Sequence, residues 1–344
     1  MTEPIGLGAL GWDHDIEKRT APLCTAGLQP GRVVRVDRGE VDVAIGDVHS
    51  DIRATTTTAA RDCVAGDWVA FNLERQRVEA VAARRTAFVR RASRGARTPQ
   101  TLAANMDVVL VVAGLEPGLN VRRLERELVM AHDSRATPIV VLTKTDVVDS
   151  ATAKNAVNTA MEVAPGVEVF AVSNRSGDGF DALRSRVAPG LTFALLGASG
   201  VGKSTLVNTL AGSEIQLTAE IRASDGKGRH TTTSARLLRL ASGQLLLDTP
   251  GVRALALWES WDGLALTFSD IEELATSCQF ADCFHDDEPG CAVLAAENDH
   301  RLDPARLENW RRMRDEMATL DADLTEAQRR RDRTGRPERE TEHS

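Results

Sequence analysis

The segment Gly197-Ala198-Ser199-Gly200-Val201-Gly202-Lys203-Ser204-Thr205 constrains this chain more than any other, because an apolar stretch (Thr192 to Leu196) precedes it and a helix-forming stretch (Thr205 to Leu210) follows. Glycines at both ends let the backbone curl until successive N–H groups face a di- or triphosphate. Lys203 would then reach the outer phosphates, and the Ser204 hydroxyl would complete the shell of a Mg2+ ion. Strand, turn and helix are the context this chemistry needs. The cradle leaves the base unnamed.

With 344 residues, 42% of them hydrophobic, the chain exceeds what one core usually organises and predicts two or three domains. A formal charge of −8 argues against wholesale coating of nucleic acid and confines any RNA contact to a region. Five cysteines, three of them crowded at 278–291, suit a reduced compartment and a metal site rather than a disulfide framework. No basic lead with an apolar run opens the chain, and no stretch approaches a membrane span. A cytoplasmic protein without membrane attachment is expected.

Residues 1–29 mix Gly, Pro and charges without a period and read as a loosely ordered lead-in. From 30 to 87 come short strand candidates, Gly31 to Asp37, Val41 to Gly46, Asp51 to Thr57, Asp67 to Asn72 and Val78 to Ala83, parted by turn residues. That density predicts a small closed β-barrel of OB type, either nucleic-acid binding or purely structural. Between Ala80 and Met106 stand Arg84, Arg85, Arg90, Arg91, Arg94 and Arg97 with no acidic residue, either a phosphate-backbone contact or a solvated linker. Over 88–260, apolar runs alternate with helical ones: Asp107 to Ala113, Pro138 to Leu142, Val167 to Val172, Thr192 to Leu196, Ala235 to Leu240 and Gln244 to Leu247. Continuous Val/Leu runs predict a largely parallel sheet flanked by helices, Arg122 to His132 among them.

Thr143-Lys144-Thr145-Asp146 directly follows the Pro138 to Leu142 strand, where a ligand lies in an α/β sheet. The Asp146 carboxylate can accept from both N1–H and the exocyclic amine of guanine, a pair adenine does not offer. Ser173-Asn174-Arg175-Ser176-Gly177-Asp178-Gly179 follows the next strand as a second base-side loop. After the cradle, Asp225 to Thr233 is polar and Gly-rich, and Thr231 or Thr232 is placed to join Ser204 on Mg2+ when a γ-phosphate is present. Asp248-Thr249-Pro250-Gly251 puts a carboxylate at a strand end and then a Gly whose N–H can meet that γ-phosphate.

Cys278-x4-Cys283-x-His285-x5-Cys291 supplies three thiolates and an imidazole within fourteen residues, the ligand number and softness of one closed, structural Zn2+ site. Cys24 and Cys63 read as ordinary small apolar residues. Leu307, Trp310, Met313, Met317 and Leu320 recur at helical spacing, predicting an amphipathic helix from Pro304 to about Arg331 that packs on the zinc region. The zinc-binding and helical region therefore spans 261–331, and the polar tail 332–344 reads as disordered.

GASGVGKST, GRHTTT, DTPGVR and TKTD together match the guanine-nucleotide motifs of P-loop GTPases, except that the base-reading motifs precede the phosphate-binding one. The chain thus resembles a circularly permuted GTPase cut between the third and fourth strands of the ordinary sheet, whose new ends can lie close together. With a barrel before and a cysteine cluster after, it resembles the bacterial ribosome small subunit-dependent GTPase A family over about residues 30 to 320. The resemblance implies GTP hydrolysis to GDP in late maturation of the small ribosomal subunit, with the barrel and zinc region contacting the particle and its rRNA, and a monomer. Thr143 stands where such GTPases more often carry Asn. Val252 replaces the Gln that often orients water, and the resemblance supports His230 as the substitute, a loop histidine or RNA contact being the other reading. Lys203 and Gly251 complete the implied catalytic set. The rival readings are a GTP-sensing RNA-binding factor in translation and a P-loop ATPase.

Overall fold

The computed structural model describes residues 6–25, 27–37, 39–46, 51–90, 100–212, 235–249 and 261–334, with side chains described as far as 319 and at 322. It divides into two compact units, Met1–Ala256 and Leu257–Ser344.

In the first unit, β1 (Gln29–Asp37), β2 (Glu40–Ala44), β3 (Ile52–Thr56), β4 (Trp68–Asn72) and β5 (Arg77–Val81) pair in the order β1-β2-β3-β5-β4. A further pairing of β4 on β1 closes the ring into a five-stranded OB-type barrel. Its interior holds Val33, Val41, Val43, Val69, Phe71 and Val78, the apolar members of the alternating pattern. Cys63 fills the same core; burial pushes its thiol up to about 12, so it packs as an inert apolar residue.

The lead-in is not loose where it is described. Leu7, Leu10 and Ile16 are buried, Trp12 packs edge-on against Trp68 with ring centroids 5.1 Å apart, and α1 (His14–Thr20) is capped by the Asp13 carboxylate at 2.8 Å from Ile16 N–H. Its apolar residues serve a turn and then a two-turn helix, so no single period runs through them. Arg32 ties this segment to the rest. Only 1% exposed, it donates to the backbone carbonyls of Leu10, Gly66 and Asn105 and stands 5.2 Å over the Trp68 ring. Burial lowers its guanidinium to about 10, which keeps it charged at neutral pH.

The arginine-rich stretch is neither wholly linker nor wholly free. Arg84 makes a forked ion pair with buried Asp67 at 2.8 Å, and Arg85 pairs with Asp13 at 2.5 Å and Asp107 at 3.0 Å. β6 (Ala87–Arg90) and β7 (Gln100–Ala104) form an antiparallel hairpin that sequence reasoning missed, because Ala87, Ala103 and Ala104 carry little strand propensity. Arg90 bonds the exposed Gln100 side chain, while Arg91, Arg94 and Arg97 lie outside the described residues.

β8 (Val108–Gly114), β9 (Thr137–Thr143), β10 (Glu168–Ala171), β11 (Thr192–Leu196), β12 (Arg236–Arg239) and β13 (Leu245–Asp248) follow, in the spatial order β10-β9-β8-β11-β13-β12. All are parallel except β12, which runs against β13. Each face is covered, as the continuous apolar runs require. Val109, Val111, Val140 and Leu142 pack towards α2 (Val121–Asp133) and α3 (Ser150–Val163), and Leu110, Val112, Ile139 and Val141 towards α4 (Phe180–Arg186) and α5 (Lys203–Ala211). The cradle strand β11 is central, yet the chain enters the sheet at β8, its neighbour. Barrel and sheet are also continuous: β1 meets β12 at Arg35 opposite Arg236.

In the second unit, short helices Trp261–Thr267, Ser269–Ala275 and Ala292–Asn298 precede a long helix, Pro304–Thr334. Leu307, Trp310, Met313 and Met317 are buried along it. Arg306 is clamped by Asp270 at 2.7 Å and Thr267 O at 2.9 Å, above the Phe268 ring. No described helix is long and apolar enough to cross a membrane.

Candidate nucleotide site and metal centre

The cradle joins the carboxyl end of β11 to the N-terminus of α5, so the first-turn N–H groups of that helix open towards the loop. Its glycines are structural requirements. Gly197 has φ +143, and a Cβ there would lie 2.5 Å from Val112 O; at Gly202, φ +95, a Cβ would meet Asn174 Nδ2 at 3.0 Å. Val201 and Gly202 are half-buried, whereas Ser199 and Gly200 are exposed at the tip. Lys203 is buried and its Nζ donates to Gly197 O at 2.7 Å and Ala198 O at 2.5 Å, spanning the mouth of the loop. Ser204 and Thr205 follow on the first turn of α5.

Two further segments, through Thr143 and Asn174, converge on this loop. Thr143, fully buried at the end of β9, donates its hydroxyl to Val201 O of the cradle, with Ala113 O a longer 3.4 Å away. Asn174 Nδ2 reaches Gly202 O at 3.4 Å. Lys144 adopts the left-handed conformation and its Nζ lies 3.4 Å from Glu116, a residue sequence reasoning did not single out; the Glu-Pro-Gly turn after β8 was its signal. Thr145 and Asp146 form the turn that follows, and Ser173 Oγ donates to Asp146 Oδ1 at 2.8 Å. The same Ser173 Oγ accepts from Ser176 N–H at 3.0 Å and Arg175 N–H at 3.2 Å, which fixes the rotor that orients the carboxylate.

Asp248 lies buried at the carboxyl end of β13, on the end of the sheet that carries the cradle. His230, Thr231, Thr232 and Gly251 lie outside the described residues.

In the second unit, one ligand atom from each of Cys278, Cys283, His285 and Cys291 lies within 4.8 Å of the others. His285 Nδ1 is 3.3 Å from Cys291 Sγ and 3.6 Å from Cys278 Sγ. Ala292 N–H points at Cys278 Sγ at 3.3 Å and Leu294 N–H at Cys291 Sγ at 3.5 Å, donors that favour thiolates. The donor set fits a closed tetrahedral Zn2+ site. The long helix backs it as expected: the His285 and Trp310 rings are 5.5 Å apart, and Arg311 and Arg314 donate to the carbonyls of His285 and Phe284.

The RsgA GTPase family model matches residues 81–258. A small ribosomal subunit biogenesis GTPase RsgA of Streptomyces avermitilis is 44% identical over 309 residues, covering 88% of this chain and 83% of that protein. One of the same name from Syntrophotalea carbinolica is 40% identical, covering 96% of each. Among solved structures, YjeQ from Thermotoga maritima superposes with a TM-score of 0.63 at 24% identity, covering 83% of this chain and 97% of its own. YloQ, described as a circularly permuted GTPase, gives 0.59 at 24% identity, covering 91% of this chain and 98% of its own.

Proposed function

Because this chain belongs to the RsgA GTPase family, we propose that it hydrolyses GTP during late maturation of the small ribosomal subunit, with turnover raised by the subunit. The observation that supports the reading is the bond from Thr143 to Val201 O: residues 143–146 and 197–205, which we read as the guanine tetrad and the phosphate cradle, meet at one end of one sheet, although the chain delivers them in the reverse of the common order.

Asp146, oriented by Ser173, accepts the two guanine donors, and the cradle from Gly197 to Thr205 holds the phosphates with its N–H groups. Lys203 exchanges its two carbonyl partners for phosphate oxygens. Ser204, with Thr231 or Thr232, would hold Mg2+, and Asp248 would orient its shell; when bound, the ion would supply positive charge to the transferring phosphoryl group. Gly251 N–H meets the γ-phosphate, and His230 positions water in place of the absent Gln. Zn2+ at Cys278, Cys283, His285 and Cys291 is structural, since four protein ligands leave no open position. The protein acts as a cytoplasmic monomer on the rRNA of the particle.

The test is GTP turnover with and without purified small subunits, alongside co-sedimentation in GDP and in a non-hydrolysable GTP analogue. Slow intrinsic turnover, marked stimulation and analogue-dependent co-sedimentation are expected. Retention of ATP with indifference to GTP would refute the guanine reading, and absence of stimulation would refute the ribosomal one. His230→Ala with full stimulated turnover would remove that residue from the mechanism.

A further inference from the structure

The seam between barrel and sheet is made by two arginines facing each other. Arg35 of β1 is the Cα partner of Arg236 of β12, and directly opposed residues of antiparallel strands lie roughly 4.5–5.5 Å apart at Cα. Like charges so placed repel. Neighbouring arginines on the barrel flank have carboxylates in hand: Arg53 bonds Glu40 at 2.8 Å and Asp42 at 3.0 Å, and Arg239 lies 3.3 Å from Asp51. Arg35 reaches Asp37 at 3.0 Å through one terminal nitrogen. The Arg236 side chain has no hydrogen-bond or ion-pair partner among the described residues. The Nε atoms of Arg35, Arg236 and Arg239 are all buried without a hydrogen-bond partner, so Arg236 is set apart by its terminal nitrogens and not by its Nε. On the far side of Arg236, Asp248 is its Cα partner in β13, but no ion pair within 4.0 Å joins them.

We propose that Arg35 and Arg236 form a clamp for a backbone phosphodiester of RNA. The Arg236 side chain, lacking an acceptor among the described residues, leaves its terminal nitrogens available to an anion. Terminal guanidinium nitrogens contributed by two cross-strand arginines suit the non-bridging oxygens of a phosphodiester, whose charge offsets their repulsion. The clamp reads no bases. It lies where the barrel joins the sheet, and Arg236 opens the strand that follows the segment carrying His230, Thr231 and Thr232. An RNA phosphate gripped there is held beside the strand end bearing Asp248. The inference rests on the ribosomal reading for the identity of the RNA, and on the seam alone for the contact.

The test measures affinity for purified small subunits, and for a short mixed-sequence RNA duplex, as a function of salt. Arg35→Gln and Arg236→Gln should each weaken both and flatten the plot of log affinity against log salt by about 1, uniformly across RNA sequences. The double variant should flatten it no further, since both side chains hold one phosphate. Melting temperatures should stay level or rise in either variant because repulsion is relieved, which separates lost contact from lost fold. Wild-type affinity and slope in Arg236→Gln would overturn the clamp while leaving the ribosomal reading intact. Wild-type protein that binds neither subunits nor duplex at any salt would overturn both.

Discussion

Thr143 has one hydroxyl proton and two carbonyls within reach, and it gives that proton to Val201 O of the phosphate loop rather than to Ala113 O. A threonine thus still braces residues 143–146 against the loop 197–205. Thr143→Val keeps the outline of the side chain and removes the bond, leaving the half-buried Val201 carbonyl without this donor at a cost of about 1–2 kcal/mol. GDP affinity measured with a fluorescent analogue should fall roughly 5- to 30-fold; an unchanged affinity would show that the brace carries no binding energy. Asp146→Asn turns one acceptor oxygen into a donor and should shift preference from guanine to xanthine nucleotides in a competition assay, whereas retained guanine preference would dismiss Asp146 as the base reader. Nucleotide chemistry dictates residue types at such positions, which is why the sequence alone proposes them. The partner of Thr143 could not be proposed so, because it stands 58 residues further along the chain.

Elements were legible where one physical demand dominated. The five barrel strands alternate in and out, and the strands of the sheet are apolar throughout, so both appear in the sequence near their observed bounds. The β6–β7 hairpin and the Ala-rich α3 did not, because their residues state no strong preference. In the cysteine loop, ligand spacing was legible but its scaffold was not: Glu288 accepts from Phe284 N–H at 2.8 Å, Asp286 N–H at 2.9 Å and Asp287 N–H at 3.2 Å, closing the loop around His285. Those backbone donors, Phe284 foremost, lower its carboxyl from 4.5 to about 2. A depressed carboxyl stabilises the folded form fully above its ordinary value and loses that contribution as pH falls towards the folded value. Glu288→Gln retains one acceptor oxygen and turns an amide N–H2 towards the remaining donors. Melting curves of the two proteins should therefore be separated at neutral pH and converge as pH falls from about 4.5 towards 2. A separation independent of pH over that window would exclude the ionised carboxylate as the loop's organiser.

The permuted order of the chain determines what leaves the nucleotide site by covalent connection. In this sheet β13 ends at Asp248, the second compact unit begins at Leu257, and its first described helix starts at Trp261. The segment proposed to meet the γ-phosphate is therefore also the covalent exit to the cysteine cluster. A GTPase read in the common order would instead continue from that segment into its own fourth strand. The second unit is compact in itself, so a change at residues 248–251 has a short covalent route into it. Amide hydrogen exchange compared between GDP-bound and GTP-analogue-bound protein should differ over 265–300, while β3 and β5, away from the β1–β12 seam, keep equal protection in both states. Identical protection over 265–300 would mean that the γ-phosphate is not sensed through this exit, and the permutation would then be a matter of chain order without mechanical consequence for the zinc region.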